Sequence, residues 1–107
     1  MISTELIKGT LKYLVLNLLR RQKQMYGYEI TQELEKLSGG NIRLTFAALY
    51  PVLHKLEAGG LLRTRTENVN NRLRKYYALT GTGEKEAEKR LAEFGEYLKT
   101  MNKLLNE

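Results

Sequence analysis

The feature that most constrains this chain is a change of period. From about residue 4 to residue 58 the apolar residues recur at helical spacing, and from Leu61 to Leu79 two short runs alternate as strands do. Helical spacing then returns from about residue 82. A chain of 107 residues has room for one domain with a small core. That domain must pack three helices, a hairpin and a closing helix in this order.

Each segment carries its own boundary signals. Around residues 4–22, Ile7, Leu11, Leu14, Val15, Leu18 and Leu19 keep helical spacing, with Tyr13 and Leu16 widening the stripe, so this helix is expected to be covered on two sides. After a short connection at Gln22 to Met25, a second helix over about 26–38 turns Tyr26, Ile30, Leu34 and Leu37 inward, and Gly39-Gly40 end it. Thr45 is a suitable N-cap for a third helix, about 46–58, with Leu49, Leu53 and Leu56 on one face. Pro51 complicates that reading. Inside a helix it removes a backbone bond, whereas at a first turn it is favourable, so propensity also permits a start at Pro51. The strand runs Leu61–Glu67 and Arg72–Leu79 flank Asn68-Val69-Asn70-Asn71, and asparagine accepts the positive φ of a hairpin turn. In the second run Tyr77 and Leu79 share a face with Leu73 and Lys75; Arg72, Arg74 and Tyr76 point the other way.

Thr80 can cap the last helix, about 82–105. Its apolar residues Ala87, Leu91, Phe94, Leu98, Met101 and Leu105 follow heptad spacing, the pattern of a seam that wants a partner. A homodimer is therefore expected, the alternative being that the helix packs back on the first helix of its own chain.

Composition removes most chemistry. There is no Asp, Cys or Trp, and His54 is the single histidine. Metal sites need clustered His, Cys or carboxylates, and nucleophilic triads need parts this chain lacks. The glutamates alternate with lysines on a solvated helix, so no catalytic residue, metal site or cofactor is expected. The apolar run 13–19 is too short to span a membrane, and Arg20-Arg21-Gln22-Lys23 follows it in place of a small-residue cleavage site. A cytoplasmic protein is the expectation.

The net charge of +6 is uneven: residues 1–42 carry +2, residues 43–79 carry +5, and residues 80–107 carry −1. A basic middle third suits a polyanion, although basic residues also keep small domains soluble. The order of elements is that of a winged helix-turn-helix, in which the third helix enters the major groove of double-stranded DNA and the hairpin follows the backbone. With its leucines inward, that helix presents Ala47, Ala48, Pro51, His54, Lys55 and Ala58 outward; Tyr50 and Lys55 suit phosphate contacts. No Arg, Asn or Gln is available there for bidentate base reading, so thymine methyls, half-site spacing and DNA shape are expected to carry specificity.

Tyr26-Gly27-Tyr28-Glu29-Ile30, Leu49-Tyr50-Pro51-Val52-Leu53-His54-Lys55-Leu56-Glu57, Gly60-Leu61-Leu62 and Arg74-Lys75-Tyr76-Tyr77-Ala78-Leu79-Thr80 resemble the PadR family of transcriptional regulators, over about residues 8–100. The single closing helix is similar to the smaller PadR subfamily. The resemblance implies a dimeric regulator, often a repressor, whose last helix packs on the partner's first helix. It also implies that Pro51 lies inside the recognition helix. For some members it implies a flat aromatic or cationic ligand at the dimer interface, against an aromatic residue on the last helix that corresponds to Phe94. Phe46 and Ala48 stand where smaller or hydroxylated residues are common, Arg72-Leu73 replaces a Gly-Arg type sequence, and the turn uses Asn in place of Gly.

Together these readings give a mainly α, α+β winged helix-turn-helix over residues 1–80 and a C-terminal dimerisation helix over 81–107, forming one compact unit. The expected DNA contacts are Thr45, Ala47, Ala48, Tyr50, His54, Lys55, Arg63, Arg65, Arg72, Arg74, Lys75 and Tyr76. Leu11, Val15, Leu91, Phe94, Leu98, Met101 and Leu105 are expected at the dimer interface, and Phe94 and Leu98 against the ligand. The expected function is a ligand-responsive repressor on a palindromic operator. The alternative is a winged-helix module that binds only proteins; RNA binding is disfavoured, because no aromatic pair is set on an open sheet face.

Overall fold

The computed structural model describes residues 1–106; the expected closing unit ends at Glu107, which lies outside the described residues. The chain runs α1 (Thr4–Lys8), α2 (Leu11–Gln22), β1 (Gln24–Tyr26), α3 (Gly27–Leu37), α4 (Phe46–Ala58), β2 (Leu62–Val69), β3 (Arg72–Leu79) and α5 (Gly81–Leu105). This is a helix-dominated α+β winged helix-turn-helix. Its small antiparallel sheet has the order β1-β3-β2.

The expected helix over 4–22 is two helices. Thr10 turns both its backbone N–H (2.8 Å) and its hydroxyl (2.9 Å) onto the Ile7 carbonyl, which closes α1 and sets α2 off in a new direction. The connection at 22–25 is also more structured than expected. Lys23, at φ 73°, reverses the chain, and Gln24–Tyr26 then pair with Ala78, Tyr77 and Tyr76 of β3. Three residues are too few to show a period, so the sequence gives no strand signal there.

The third helix starts where Thr45 caps it, its hydroxyl accepting from Ala48 N–H at 3.2 Å, and Pro51 lies inside it. The hairpin turn is shorter than expected. Strand pairing continues to Val69 and Arg72, leaving only Asn70 (φ 51°) and Asn71 (φ 63°) in the left-handed region, the two-residue turn that matches strand twist.

α2 passes through the centre of the molecule, with Leu11, Val15, Leu16, Leu18 and Leu19 all buried. Met25, Ile30, Leu49, Leu53 and Tyr77 close around it. Leu37 and Leu73, expected on inward faces, are exposed: Leu37 ends α3, and Leu73 lies beyond the helices near the hairpin tip.

α5 joins the core at its beginning. Thr80 accepts from Gly83 N–H (2.9 Å), donates to the Gly60 carbonyl (2.7 Å) and sends its own N–H to the Leu61 carbonyl (3.0 Å). Gly83 packs so closely on the Leu61 carbonyl that a Cβ would overlap it. Ala87 is fully buried, but Leu98 is 52% and Leu105 83% exposed. The first half of the last helix packs on α2 of its own chain, which is the alternative reading, and its second half projects uncovered. Gly83→Ala should cost about 2–3 kcal/mol, because the obstruction is backbone and cannot rotate away; urea unfolding of the variant checks it.

Candidate nucleic-acid interface

α4 and the β2–β3 hairpin carry the residues expected to face DNA. The exposed face of α4 has a low centre formed by Ala47, Pro51 and Ala58. On one flank Phe46, Tyr50 and His54 form an aromatic ladder one helical turn apart, with centroids 5.8 Å apart at both steps. The ladder starts from a fixed point, because the Phe46 ring fills the space where a Cβ of Gly27 would stand. Phe46 at the helix start is thus explained by packing, and it needs glycine at the start of α3. On the other flank lie half-buried Ala48 and exposed Lys55, the latter bordering a cleft toward α1, α2 and α5.

The basic residues of the hairpin divide between its two faces. On the outer face Arg65, Tyr76 and Tyr26 lie directly opposite one another across β2, β3 and β1. The expectation of no aromatic pair on an open sheet face is thereby corrected, although both rings are covered by arginines. The Arg65 guanidinium covers the Tyr76 ring at 4.6 Å, Tyr76 meets Tyr26 edge-on at 5.6 Å, and Arg74 covers Tyr26 at 4.4 Å. Arg65 is held further by Gln24 Oε1 (3.1 Å) and Glu67 (3.4 Å). Tyr76, beside Arg74 on the same face, pushes the Arg74 pKa further above its ordinary value. Stacking of this type orders a cation without neutralising it.

On the inner face Lys75 sits 5.6 Å from the Tyr77 ring centroid and 3.7 Å from Glu57, whose other oxygen accepts from the Thr64 hydroxyl at 3.2 Å. Burial, assisted by Glu57, pushes the Tyr77 phenol above its usual pKa and keeps it neutral. Arg74 and Lys75, adjacent in sequence, therefore point to opposite faces and differ in partner. Arg63 lies at the hairpin base, bordering a depression with Arg20, Glu84 and Glu88. Arg72 is exposed immediately after the two-asparagine turn.

The residues expected at a partner interface also separate. Leu11 and Val15 are 3% and 0% exposed within the single chain, so they have no surface left to offer a partner. That expectation is corrected: α2 is the core helix of its own domain. Leu91 is half-buried against the same core. Phe94 stacks on Tyr13 of its own chain (4.7 Å, rings 9° apart) and next to Tyr97 (6.1 Å, 12°). These three rings line a cavity of about 520 Å³ that Glu5 and Glu93 also border. Leu98, Met101 and Leu105 lie further along α5, outside that cavity.

Two contributors escaped the sequence reading. Tyr26, assigned to the inward face of a helix, is instead the edge-strand residue on which Arg74 stacks, and Gln24 fixes Arg65. The pairing of three strands brings them there, and no local pattern signals it. Among the described residues no helix is long and apolar enough to cross a membrane.

A three-helix unit with an exposed helix, a basic hairpin beside it and a closing helix defines a winged helix-turn-helix protein. Residues 15–89 match the model of the transcriptional regulator PadR-like family. The chain belongs to that family, whose members are transcription regulators and not enzymes. It is 40% identical over 60 residues to the transcriptional regulator Rv3488 of Mycobacterium tuberculosis, covering 56% of this chain and 53% of that one. A PadR family regulator from Eggerthella lenta superposes with a TM-score of 0.79 at 34% identity, over 94% of this chain and 86% of the other. Bacillus subtilis PadR, solved in complex with operator DNA, superposes with a TM-score of 0.68 at 32% identity, over 77% of this chain and 46% of that longer one.

Proposed function

We propose that this regulator is a dimeric repressor that binds a palindromic operator and is released by a small aromatic ligand at its dimer seam. The observation that carries the DNA reading is the low face of α4, where Ala47 and Pro51 let the helix backbone approach base edges closely. The Thr45 end of the helix enters the groove, Tyr50 and His54 line one groove wall, and Lys55 is left for a phosphate. Arg72 at the hairpin tip is the freest wing cation. Arg63, Arg65, Arg74, Lys75 and Tyr76 contribute according to their faces. That the Bacillus subtilis relative was solved with operator DNA supports the same use of the fold.

Residues 1–80 serve as the DNA-binding unit and the helix from residue 81 as the dimerisation unit. The uncovered half of α5 supports a homodimer, because Leu98, Leu104 and Leu105 are apolar, exposed and on a helix with heptad spacing. Met101 belongs to the same seam, and Phe94 and Leu91 lie where it meets the domain. The stacked Tyr13, Phe94 and Tyr97, with Glu5 and Glu93 beside them, suit a flat cation, and Leu98 would close the site from the seam. A protein that acts on chromosomal DNA works in the cytoplasm of a bacterial or archaeal cell.

Selection of duplex DNA from a random pool should return two inverted half-sites about one helical turn apart, and light scattering should give about twice the chain mass of 12.4 kDa. Winners without inverted symmetry, or none at low salt, would instead favour a protein-binding module. Wing contacts separate by salt dependence. Arg72→Ala should lower the slope of log K against log salt by about 1, the loss of one phosphate contact. Glu57→Gln should do the opposite and tighten binding at low salt, because it frees Lys75 from its only ion pair among the described residues. An unchanged slope in both variants would remove the wing from the interface. Ethidium should raise the melting temperature of the wild type and not of Phe94→Ala; equal shifts in both would exclude the aromatic cavity as its site.

A further inference from the structure

On the side of α4 away from the wing lies a cleft of about 780 Å³ where α1, α2, α4 and α5 converge. Four cations from four different helices border it: Lys8 ends α1, Lys12 lies in the first turn of α2, Lys55 in the last turn of α4, and Arg90 on α5. The sole acid on its wall is Glu86, which already holds Arg90 at 3.4 Å. Among the described residues, Lys8, Lys12 and Lys55 have no ion-pair partner. Lys12 also stands at the positive end of its helix, where a cation is electrostatically disfavoured. Val52 and Leu61 give the cleft an apolar wall.

Like charges brought together by the fold around an apolar wall, with one already engaged acid, lower the free energy of a bound polyanion. The concavity favours a small molecule over the convex backbone of a duplex, and the volume lies in the range of ligand pockets. We propose that this cleft binds a phosphate-bearing small molecule of nucleotide size. Its phosphates are held by Lys8, Lys12 and Lys55, and its ring lies against Val52 and Leu61. The Glu86–Arg90 pair sits at the rim, where Arg90 can exchange its carboxylate for a phosphate oxygen. The cleft adjoins the cavity of Tyr13, Phe94 and Tyr97 at Gly9, and Lys12, whose Nζ lies 5.2 Å from the Tyr13 ring centroid, stands between the two. The α5 wall of the cleft ends at Arg90, before the exposed half of that helix, so a partner on Leu98 and Leu105 leaves it open.

The test uses the full chain and magnesium-free ATP, with adenosine and inorganic phosphate as comparison probes, read by thermal unfolding at low salt. ATP at saturation should raise Tm by at least about 4 °C. Adenosine should have no effect, and inorganic phosphate a smaller one. The double variant Lys8→Ala/Lys12→Ala should unfold at the wild-type temperature without ligand and lose the ATP shift. Should that variant prove unstable, Lys55→Gln replaces it and should reduce the shift. No ATP shift in the wild type, or a shift retained in the lysine variants, overturns the proposal. Loss of DNA affinity in Lys8→Ala/Lys12→Ala with no ATP effect on the wild type overturns it too, and assigns the lysines to duplex backbone. Because Tm is read without DNA, failure here leaves the operator reading standing.

Discussion

The close approach of Gly83 to the Leu61 carbonyl, knotted by Thr80, sets the position of every functional element. Leu61 follows the end of α4 and leads into β2, while Thr80 follows β3 and caps α5. One residue, through its side chain and its backbone N–H, therefore ties the segment between α4 and β2 to the end of β3 and the start of α5. Thr80 bonds three backbone groups there, the Gly60 and Leu61 carbonyls and the Gly83 N–H, at a part-exposed junction.

From that junction the charge acquires a geometry that composition does not carry. The middle third holds most of the +6, yet its cations are not interchangeable. Arg74 is stacked on Tyr26, Arg65 is stacked on Tyr76 and paired with Glu67, Lys75 is held by Glu57, Arg72 is free at the tip, and Lys55 turns toward a different cleft. A stacked guanidinium keeps its charge and loses freedom, so it approaches a phosphate with little further ordering cost. A lysine paired at the surface gives up at most about 1 kcal/mol when it exchanges a carboxylate for a phosphate. If the wing follows the DNA backbone as proposed, these cations would differ in what each contributes to affinity.

How much of this the sequence discloses depends on the range of each interaction. Thr45, Thr80 and the asparagine turn were legible because caps and tight turns act over two to four residues, and the α4 stripe because three leucines at helical spacing define a face. Pro51 was ambiguous on propensity, since a proline suits a first turn and a tolerated helix interior equally well as a local pattern. The break at Gly9-Thr10 was hidden by apolar spacing that continues across it. β1 was hidden because its partner, β3, lies some fifty residues away in sequence. The outer-face ladder depends on that strand, so it was invisible for the same reason. Leu11 and Val15 show the opposite error. A resemblance supplied a role in the assembly for residues whose burial is already complete within one chain.

The two halves of α5 follow from the same reasoning about burial. Ala87 is small because α5 lies close to the domain there, and Phe94 is the last seam residue to find a stacking partner within the chain. Beyond it the heptad continues with Leu98, Met101 and Leu105, but the domain no longer lies alongside. An exposed apolar seam that outlasts its own core is the kind of surface that marks an interaction site. A second copy has the same seam, and two such helices related by a twofold axis present identical residues to each other. Symmetry of that kind would carry through the Thr80 junction to both α4 helices and set their separation. The spacing of operator half-sites would then be determined at the opposite end of the chain from the residues that read them.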